Sequence, residues 1–123
     1  SKTASDRLIA RANEATADSI GVSVADIARI PLTDEVVAEI TECLLDSDVS
    51  ELKWGLWFAN GILDSNPPQS FLNWLIPRVP GWLKHDNWDV RNRALDIFVR
   101  LRENYKNYRQ LMLEMLNLFL YTS

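Results

Sequence analysis

The stretch LKWGLWFANGIL at residues 52–63 is matched in physical character, 38 residues later, by VRNRALDIFVRL at residues 90–101. In both stretches the apolar positions are spaced by four, three and four residues, which places them on one face of an α-helix. A repeat period of about 20 to 50 residues is typical of stacked helical units. We therefore expect these positions to form buried seams: Leu52, Leu56, Ala59 and Leu63 in the first stretch, and Val90, Ala94, Ile97 and Leu101 in the second.

The size and composition of the chain are those of one folded domain. It has 123 residues, of which 47% are hydrophobic and 24% are charged. A chain of this size buries enough apolar surface to fold without disulfides or metal. The longest uncharged apolar run, at residues 116–121, is far shorter than the roughly 20 residues of a membrane-spanning helix. We expect a soluble protein in the cytoplasm, with no membrane partner.

Charge is distributed unevenly along the chain, whose net charge is −4 at pH 7. Residues 1–50 carry ten acidic and four basic side chains, whereas residues 51–123 carry seven acidic and nine basic ones. Proteins that bind nucleic acid usually have a strongly basic balance, so a nucleic-acid partner is not expected. The acidic half favours a basic protein partner instead.

Start and stop signals divide the first half of the chain into helical segments. The alanine-rich segment at residues 5–19 predicts a helix, and Ser23 is a candidate cap for the short turn that follows. Thr33 precedes two acidic residues, which is a strong N-cap signal for a helix at residues 34–46. A polar turn at residues 46–48 then leads into the first quoted stretch.

The second half of the chain is divided by prolines. The sequence Asn-Pro-Pro at residues 66–68 is the clearest break and separates two helical hairpins. Pro77 and Pro80 predict kinks in the first helix of the second hairpin. The last helix, at about residues 108–121, repeats the apolar pattern of residues 71–79 at an offset of 40 and resembles half of a third unit.

Together these segments predict an all-α fold, a short α-solenoid of antiparallel helical hairpins with about five to seven helices and no sheet. Residues 1–123 are expected to form a single helical-repeat domain. Its predicted parts are N-terminal capping helices at 1–32, a first hairpin at 33–65, a second hairpin at 66–104, and a half repeat or C-terminal cap at 105–123.

The segment WLKHDNWDVR at residues 82–91, followed by Ala94, resembles the turn and second-helix signature of HEAT repeats, which are armadillo-type helical repeats. Residues 44–56 contain a weaker copy, and the resemblance covers about residues 33–123. It implies that the turn acids and the following basic residues form a polar ladder between neighbouring repeats. The residues in these positions are Asp48, Lys53, Asp86 and Arg91.

A companion stripe lies beside each seam at the same offset of 38 residues. In a HEAT-like solenoid the second helices line the concave surface, so this stripe is the predicted partner-binding site. Its residues are Lys53, Trp57, Asn60 and Asp64, followed by Arg91, Leu95, Phe98 and Arg102. The alternative is that Trp57, Leu95 and Phe98 pack between the repeats.

The remaining aromatic residues are expected to pack in the protein. Trp54 and Phe58 lie nearly opposite the Leu52 seam, as in a helix held between two layers. Packing is also the favoured interpretation for Trp74, Trp82 and Trp88, although the last two flank a turn where an exposed ring could anchor a partner.

No catalytic or cofactor motif is present, so we expect a protein that is not an enzyme and that holds no cofactor or metal. His85 is the only histidine and is interpreted as a solvated loop residue. Cys43 is the only cysteine, and its helical spacing with Val36 and Ile40 predicts a buried, unreactive thiol.

These observations favour a non-enzymatic protein–protein interaction or adaptor module that binds its partner on a concave helical face. One alternative is a small acidic immunity or antitoxin-like protein that neutralises a basic toxin by charge complementarity. A second comes from the family resemblance: HEAT-like DNA alkylpurine glycosylases use aromatic, acidic and basic residues in their groove, which Trp57, Asp64, Arg91 and Arg102 could imitate. The sequence makes no prediction of the oligomeric state.

Overall fold

Helices make up the regular secondary structure wherever the computed structural model describes the chain, which is at residues 2–15 and 23–121, with side chains to residue 117. No strand occurs in these ranges, so the all-α prediction is confirmed. Eight α-helical segments are described, and two of them are only four and five residues long. The six longer segments agree with the predicted five to seven helices. The segments are α1 (Ala4–Ala15), α2 (Val24–Ile27), α3 (Asp34–Leu44), α4 (Val49–Ile62), α5 (Gln69–Leu75), α6 (Val79–Leu83), α7 (Trp88–Asn104) and α8 (Arg109–Tyr121).

The chain divides into two compact units, unit 1 at Ser1–Pro67 and unit 2 at Pro68–Ser123. The division falls at the predicted Asn-Pro-Pro break, where Asn66 adopts the left-handed backbone conformation with φ 53°. Unit 1 carries 12 acidic and 5 basic side chains and unit 2 carries 5 acidic and 8 basic ones, so their net charges are −7 and +3. The stacking of hairpins into a solenoid stays a prediction.

Unit 1 is built on the α3–α4 hairpin, whose two helices begin where the sequence predicts. The side chain of Thr33 accepts a hydrogen bond from Val36 N at 3.3 Å and starts α3. The carboxylate of Asp48 accepts hydrogen bonds from Ser50 N and Glu51 N and starts α4. Helix α1 packs on α3 and α4, and α2 packs on α4.

The predicted seam of α4 is the centre of the unit 1 core. All four of its residues are buried, with exposed fractions from 0 to 6%, and Phe58 on another face of the helix is also fully buried. Trp54 is half-buried and its ring lies 6.0 Å from that of Phe58. The packing interpretation of both aromatic residues is therefore confirmed.

Part of the predicted N-terminal region lies outside the described residues. The helix predicted at residues 5–19 is observed as α1, which begins at Ala4, and its predicted end falls within the undescribed residues 16–22. Ser23 caps the short helix α2, as predicted, through a reciprocal pair of hydrogen bonds with Asp26.

Unit 2 is a second hairpin whose first helix is broken by its prolines. Helix α5 ends at Leu75, a 3₁₀ turn spans Ile76–Arg78, and α6 follows, with a proline in the first turn of each new segment. Helix α7 packs on α6 and begins at the Asn87 cap. The seam of α7 is fully buried, so its prediction is confirmed.

Helix α8 packs on α6 and supplies the last part of the unit 2 core. Met112 and Met115, which repeat an apolar pair of α5, are buried, whereas Leu116 is 39% exposed. The side chain of Phe119, the last member of the predicted pattern, lies outside the described residues. In the described ranges, no helix is both long enough and apolar enough to cross a membrane.

Candidate functional site

The second half of the companion stripe lines a surface groove in unit 2. Arg91, Leu95, Phe98 and Arg102 lie on one side of α7, spaced by four, three and four residues. All four side chains line depressions between α7 and α8, which we call the α7–α8 groove. The structure thus brings these four predicted residues together within one unit.

The α7–α8 groove consists of two adjoining cavities that share Phe98 and Leu116. The first has a volume of about 480 Å³, and its apolar walls include Leu83, Trp88, Leu95 and Met115. The second has a volume of about 590 Å³, and its apolar walls include Tyr105, Met112 and Leu113. Both volumes fall within the range of protein ligand-binding sites.

The groove gathers most of the exposed large apolar side chains of the described residues. Five of the six lie on α7 and α8, and only Leu45 lies elsewhere. Four of the five also line the groove, and exposed apolar surface concentrated in this way marks interaction sites. The five are Trp88 at 62% exposed, Leu113 at 50%, Leu95 at 49%, and Val99 and Leu116 at 39% each.

The exposure of Trp88 corrects the packing interpretation for this residue. Trp88 is the first residue of α7, lines the first cavity and is 62% exposed. Trp74 and Trp82 are half-buried, and the ring of Trp74 lies under the Arg78 guanidinium at 4.2 Å.

Basic side chains form the polar edge of the groove. Arg91 borders the first cavity, and Arg102, Lys106 and Arg109 border the second. Among the described side chains, no carboxylate lines either cavity, and those three residues of the second cavity have no ion pair. The second cavity therefore combines an apolar floor with uncompensated positive charge.

Arg91 stabilises the turn that precedes its own helix. Its guanidinium Nη1 donates to the carbonyl oxygens of His85 at 2.7 Å and Asp86 at 2.9 Å. Within the same turn, Nδ1 of His85 accepts a hydrogen bond from Asn87 N at 3.0 Å. The family resemblance implies that Arg91 contacts a neighbouring repeat. The hydrogen bonds described here go instead to backbone oxygens of its own hairpin. The ladder between repeats stays a prediction.

The first half of the companion stripe lies in unit 1, on α4 and the 3₁₀ turn that follows it. Lys53 and Trp57 are half-buried and Asp64 is exposed, but Asn60 is only 5% exposed. The amide of Asn60 is therefore part of the packing of α4 and not of an open surface. All four residues take part in polar, ring or electrostatic contacts within the chain.

A carboxylate that the sequence reasoning missed joins three helices of unit 1. Glu51 on α4 accepts hydrogen bonds from the backbone N and the hydroxyl of Ser5 on α1, at 3.1 and 2.5 Å. It also contacts Cys43 Sγ on α3 at 3.6 Å. Burial, and then the nearby Glu51 charge, raise the pKa of the Cys43 thiol to about 12, which favours the protonated, unreactive form.

The acidic face of α3 is partly neutralised by α1. Arg11 forms a two-pronged pair with Glu39 at 2.9 and 3.0 Å and lies 3.6 Å from Glu35. Arg7 pairs with Glu42 at 3.0 Å. Helix α1 therefore covers part of the negative surface that motivates the toxin-neutralising alternative.

Among the described residues, no group of three His, Cys, Asp or Glu side chains is arranged to hold a metal ion. Comparison of the chain with protein-family models, with curated proteins and with solved structures finds no match. The α7–α8 groove, with its apolar floor and basic edge, is the candidate functional site.

Proposed function

We propose that this protein is a non-enzymatic protein-interaction module that binds a partner through the α7–α8 groove. The observation that carries the proposal is the concentration of five exposed apolar side chains on α7 and α8, four of which line a groove with a basic edge. Binding energy in protein interfaces comes mainly from apolar and aromatic anchors that become fully desolvated inside a polar rim. The groove supplies both parts.

The exposed apolar side chains of the groove lower the solubility of the free protein. A bound partner would cover them. Leu95 lines the first cavity and Leu113 lines the second, and each is about half exposed. Covering such side chains contributes about 25 cal/mol for each Å² of apolar surface removed from water. A cytoplasmic location is part of the proposal, since the free thiol of Cys43 suits a reducing compartment.

The two alternatives have weaker support. A toxin-neutralising role would use the acidic surface of unit 1, and three of its glutamates already pair with Arg7 and Arg11. The glycosylase alternative draws on Trp57 and Asp64 of unit 1 and on Arg91 and Arg102 of unit 2. No specific observation favours either one.

The test compares two leucine-to-glutamate variants. Leu95→Glu places a charge in the groove, and Leu45→Glu makes the same change at an exposed leucine of unit 1 that does not line it. Both side chains are exposed, so both variants should keep the helical circular dichroism spectrum. The partner is identified by affinity capture and mass spectrometry, and binding is then measured with the purified partner.

We expect the wild-type protein and Leu45→Glu to bind the purified partner equally, and Leu95→Glu to lose binding. Equal binding by all three proteins would show that the groove is not the site. Loss of binding in both variants would show that exposed leucines act without specificity.

A further inference from the structure

We infer, on the basis of the proposed function, that the α7–α8 groove accepts an acidic amphipathic helix of the partner protein. Leucine-like side chains of that helix would occupy the apolar floor. Its carboxylates would pair with Arg102, Lys106 and Arg109 at the second cavity.

The form of the groove fits a helix better than a single side chain or a small molecule. Its α7 wall runs from Trp88 to Arg102, and at a rise of 1.5 Å per residue this is about 21 Å, or roughly four turns of a partner helix. Its two apolar cavities lie one after the other along that wall. An amphipathic helix presents a row of apolar anchors at i, i+3, i+4 and i+7, which can fill successive cavities along one groove.

The positive charge of the groove edge favours a partner segment with negative charge. Arg102, Lys106 and Arg109 are all exposed, and none forms an ion pair within the described part of the chain. The exposed acids of the two helices, including Glu103 and Glu114, do not line either cavity. A charged partner responds mainly to groups within a Debye length of about 8 Å, so the local basic edge outweighs the negative charge of the whole chain.

The same edge also indicates the direction of the partner helix. The three unpaired basic residues lie at the second cavity, whereas the first cavity has the exposed indole of Trp88 and the engaged guanidinium of Arg91. The acidic end of the partner helix should therefore lie at the second cavity. Its largest apolar side chain should lie against Trp88.

Other occupants fit the groove less well. Single-stranded nucleic acid needs a series of aromatic platforms for its bases, and here leucine and methionine side chains separate the aromatic ones. A symmetric dimer through this groove would have to find carboxylates for the basic edge elsewhere, since no described carboxylate lines either cavity. Binding of oligo-dT and self-association of the protein are therefore measured beside peptide binding.

The probe is a fluorescein-labelled designed helix of about 16 residues, with leucine at i, i+3, i+4 and i+7, glutamate in its first turn, and alanine and glutamine at the other positions. A second peptide replaces each glutamate with lysine, and labelled oligo-dT represents nucleic acid. Binding is measured by fluorescence anisotropy against the full chain at low and high salt. Sedimentation velocity of the protein alone measures self-association.

We expect the acidic peptide to bind at least about tenfold more tightly than the basic one at low salt, with the difference falling as salt screens the charges. The double variant Lys106→Glu and Arg109→Glu should weaken acidic-peptide binding by about tenfold or more. The double variant Lys2→Glu and Arg29→Glu changes the net charge equally at exposed positions of unit 1, and it should leave binding within about twofold.

Preferred binding of the basic peptide, equal binding of both peptides, or loss of acidic-peptide binding in both double variants would overturn the inference. So would displacement of the acidic peptide by oligo-dT, or a dimer that excludes the peptide. If the basic peptide binds and Leu95→Glu removes that binding, the groove remains an interaction site although the acidic helix is wrong. If Leu95→Glu affects neither peptide, the proposed function loses its site as well.

Discussion

Replacing Gly61 with alanine tests how closely α2 packs on α4. A Cβ atom at position 61 would overlap Cγ2 of Ile27 and lie 2.6 Å from its Cβ, and Ile27 is fully buried. Because the Cβ of Ile27 is itself in the way, no rotamer change at Ile27 removes the overlap. Helix α2 would have to move away from α4.

The expected magnitude is the difference between two opposing effects. Overpacking in a well-packed core costs about 1–3 kcal/mol, and an overlap that only backbone movement can relieve belongs at the upper end. Alanine is favoured over glycine inside a helix by about 1 kcal/mol. We therefore expect Gly61→Ala to lower the free energy of unfolding by about 2 kcal/mol.

Gly81 offers a matched control in α6. A Cβ atom there would meet no atom within 4 Å, so only the change in conformational freedom remains. We expect Gly81→Ala to raise the free energy of unfolding by about 0.5–1 kcal/mol. The two variants thus make the same chemical change with opposite expected signs.

Both variants are measured by urea denaturation followed by circular dichroism at 222 nm, with linear extrapolation of the free energy of unfolding. A Gly61→Ala variant as stable as the wild type, or more stable, would show that α2 does not press on α4 at this position. A loss of stability in Gly81→Ala would show that helix propensity has been misjudged.

Three further predictions concern the seams, the caps and the thiol. Leu56→Ala and Ile97→Ala should each lower the free energy of unfolding in urea by about 2–5 kcal/mol through lost burial and a cavity, and losses below about 1 kcal/mol would contradict the assigned seams. Asp48→Ala should lower the free energy of unfolding by about 0.5–2 kcal/mol through the lost cap of α4, whereas Asp48→Asn should keep most of that stability. An equal loss in both variants would show that the charge of Asp48 matters, and not its capping hydrogen bonds. The thiol of Cys43, with a pKa of about 12 when folded and an ordinary value of 9.0, should react with Ellman's reagent at pH 8 only after denaturation. Since the unfolded thiol loses its proton first, the wild type should lose stability between pH 9 and 12 relative to Cys43→Ala, and parallel pH curves for the two would contradict the raised pKa.

Local signals predict much of the fold. The four-three-four spacing of Leu52 and its partners identifies the buried face of α4, because helical period alone determines which residues share a face. Thr33 and its following acids identify the start of α3, because capping depends only on neighbouring residues. The break after Leu75 follows from Pro77, whose ring excludes a continuous helix.

The contacts between distant residues could not be predicted in this way. Nothing local pairs Glu51 with Ser5, 46 residues away, since that contact exists only once α1 docks on the hairpin. The turn at residues 85–87 offers several polar candidates, and only the backbone path shows that Asn87 caps α7.

The candidate site could be predicted only in part, because helical spacing is local and the packing of α8 is not. Helical spacing placed Arg91, Leu95, Phe98 and Arg102 on one face of α7, and the structure shows that this face borders a groove. Lys106 and Arg109 were missed because they follow α7 in the chain, and only the packing of α8 brings them to the same edge. The positive sign of the groove was missed because the net charge of the whole chain is negative.

The open position of Trp88 gives the protein an optical reporter at its candidate site. Indole emission shifts to shorter wavelength when water is removed from the ring, and Trp88 is a 62% exposed residue on the wall of the first cavity. Iodide, a quencher that acts on exposed rings, should reach it more readily than the half-buried rings of Trp74 and Trp82. Occupation of the groove can therefore be followed in the unlabelled protein, from the emission wavelength and the iodide quenching of its tryptophan fluorescence.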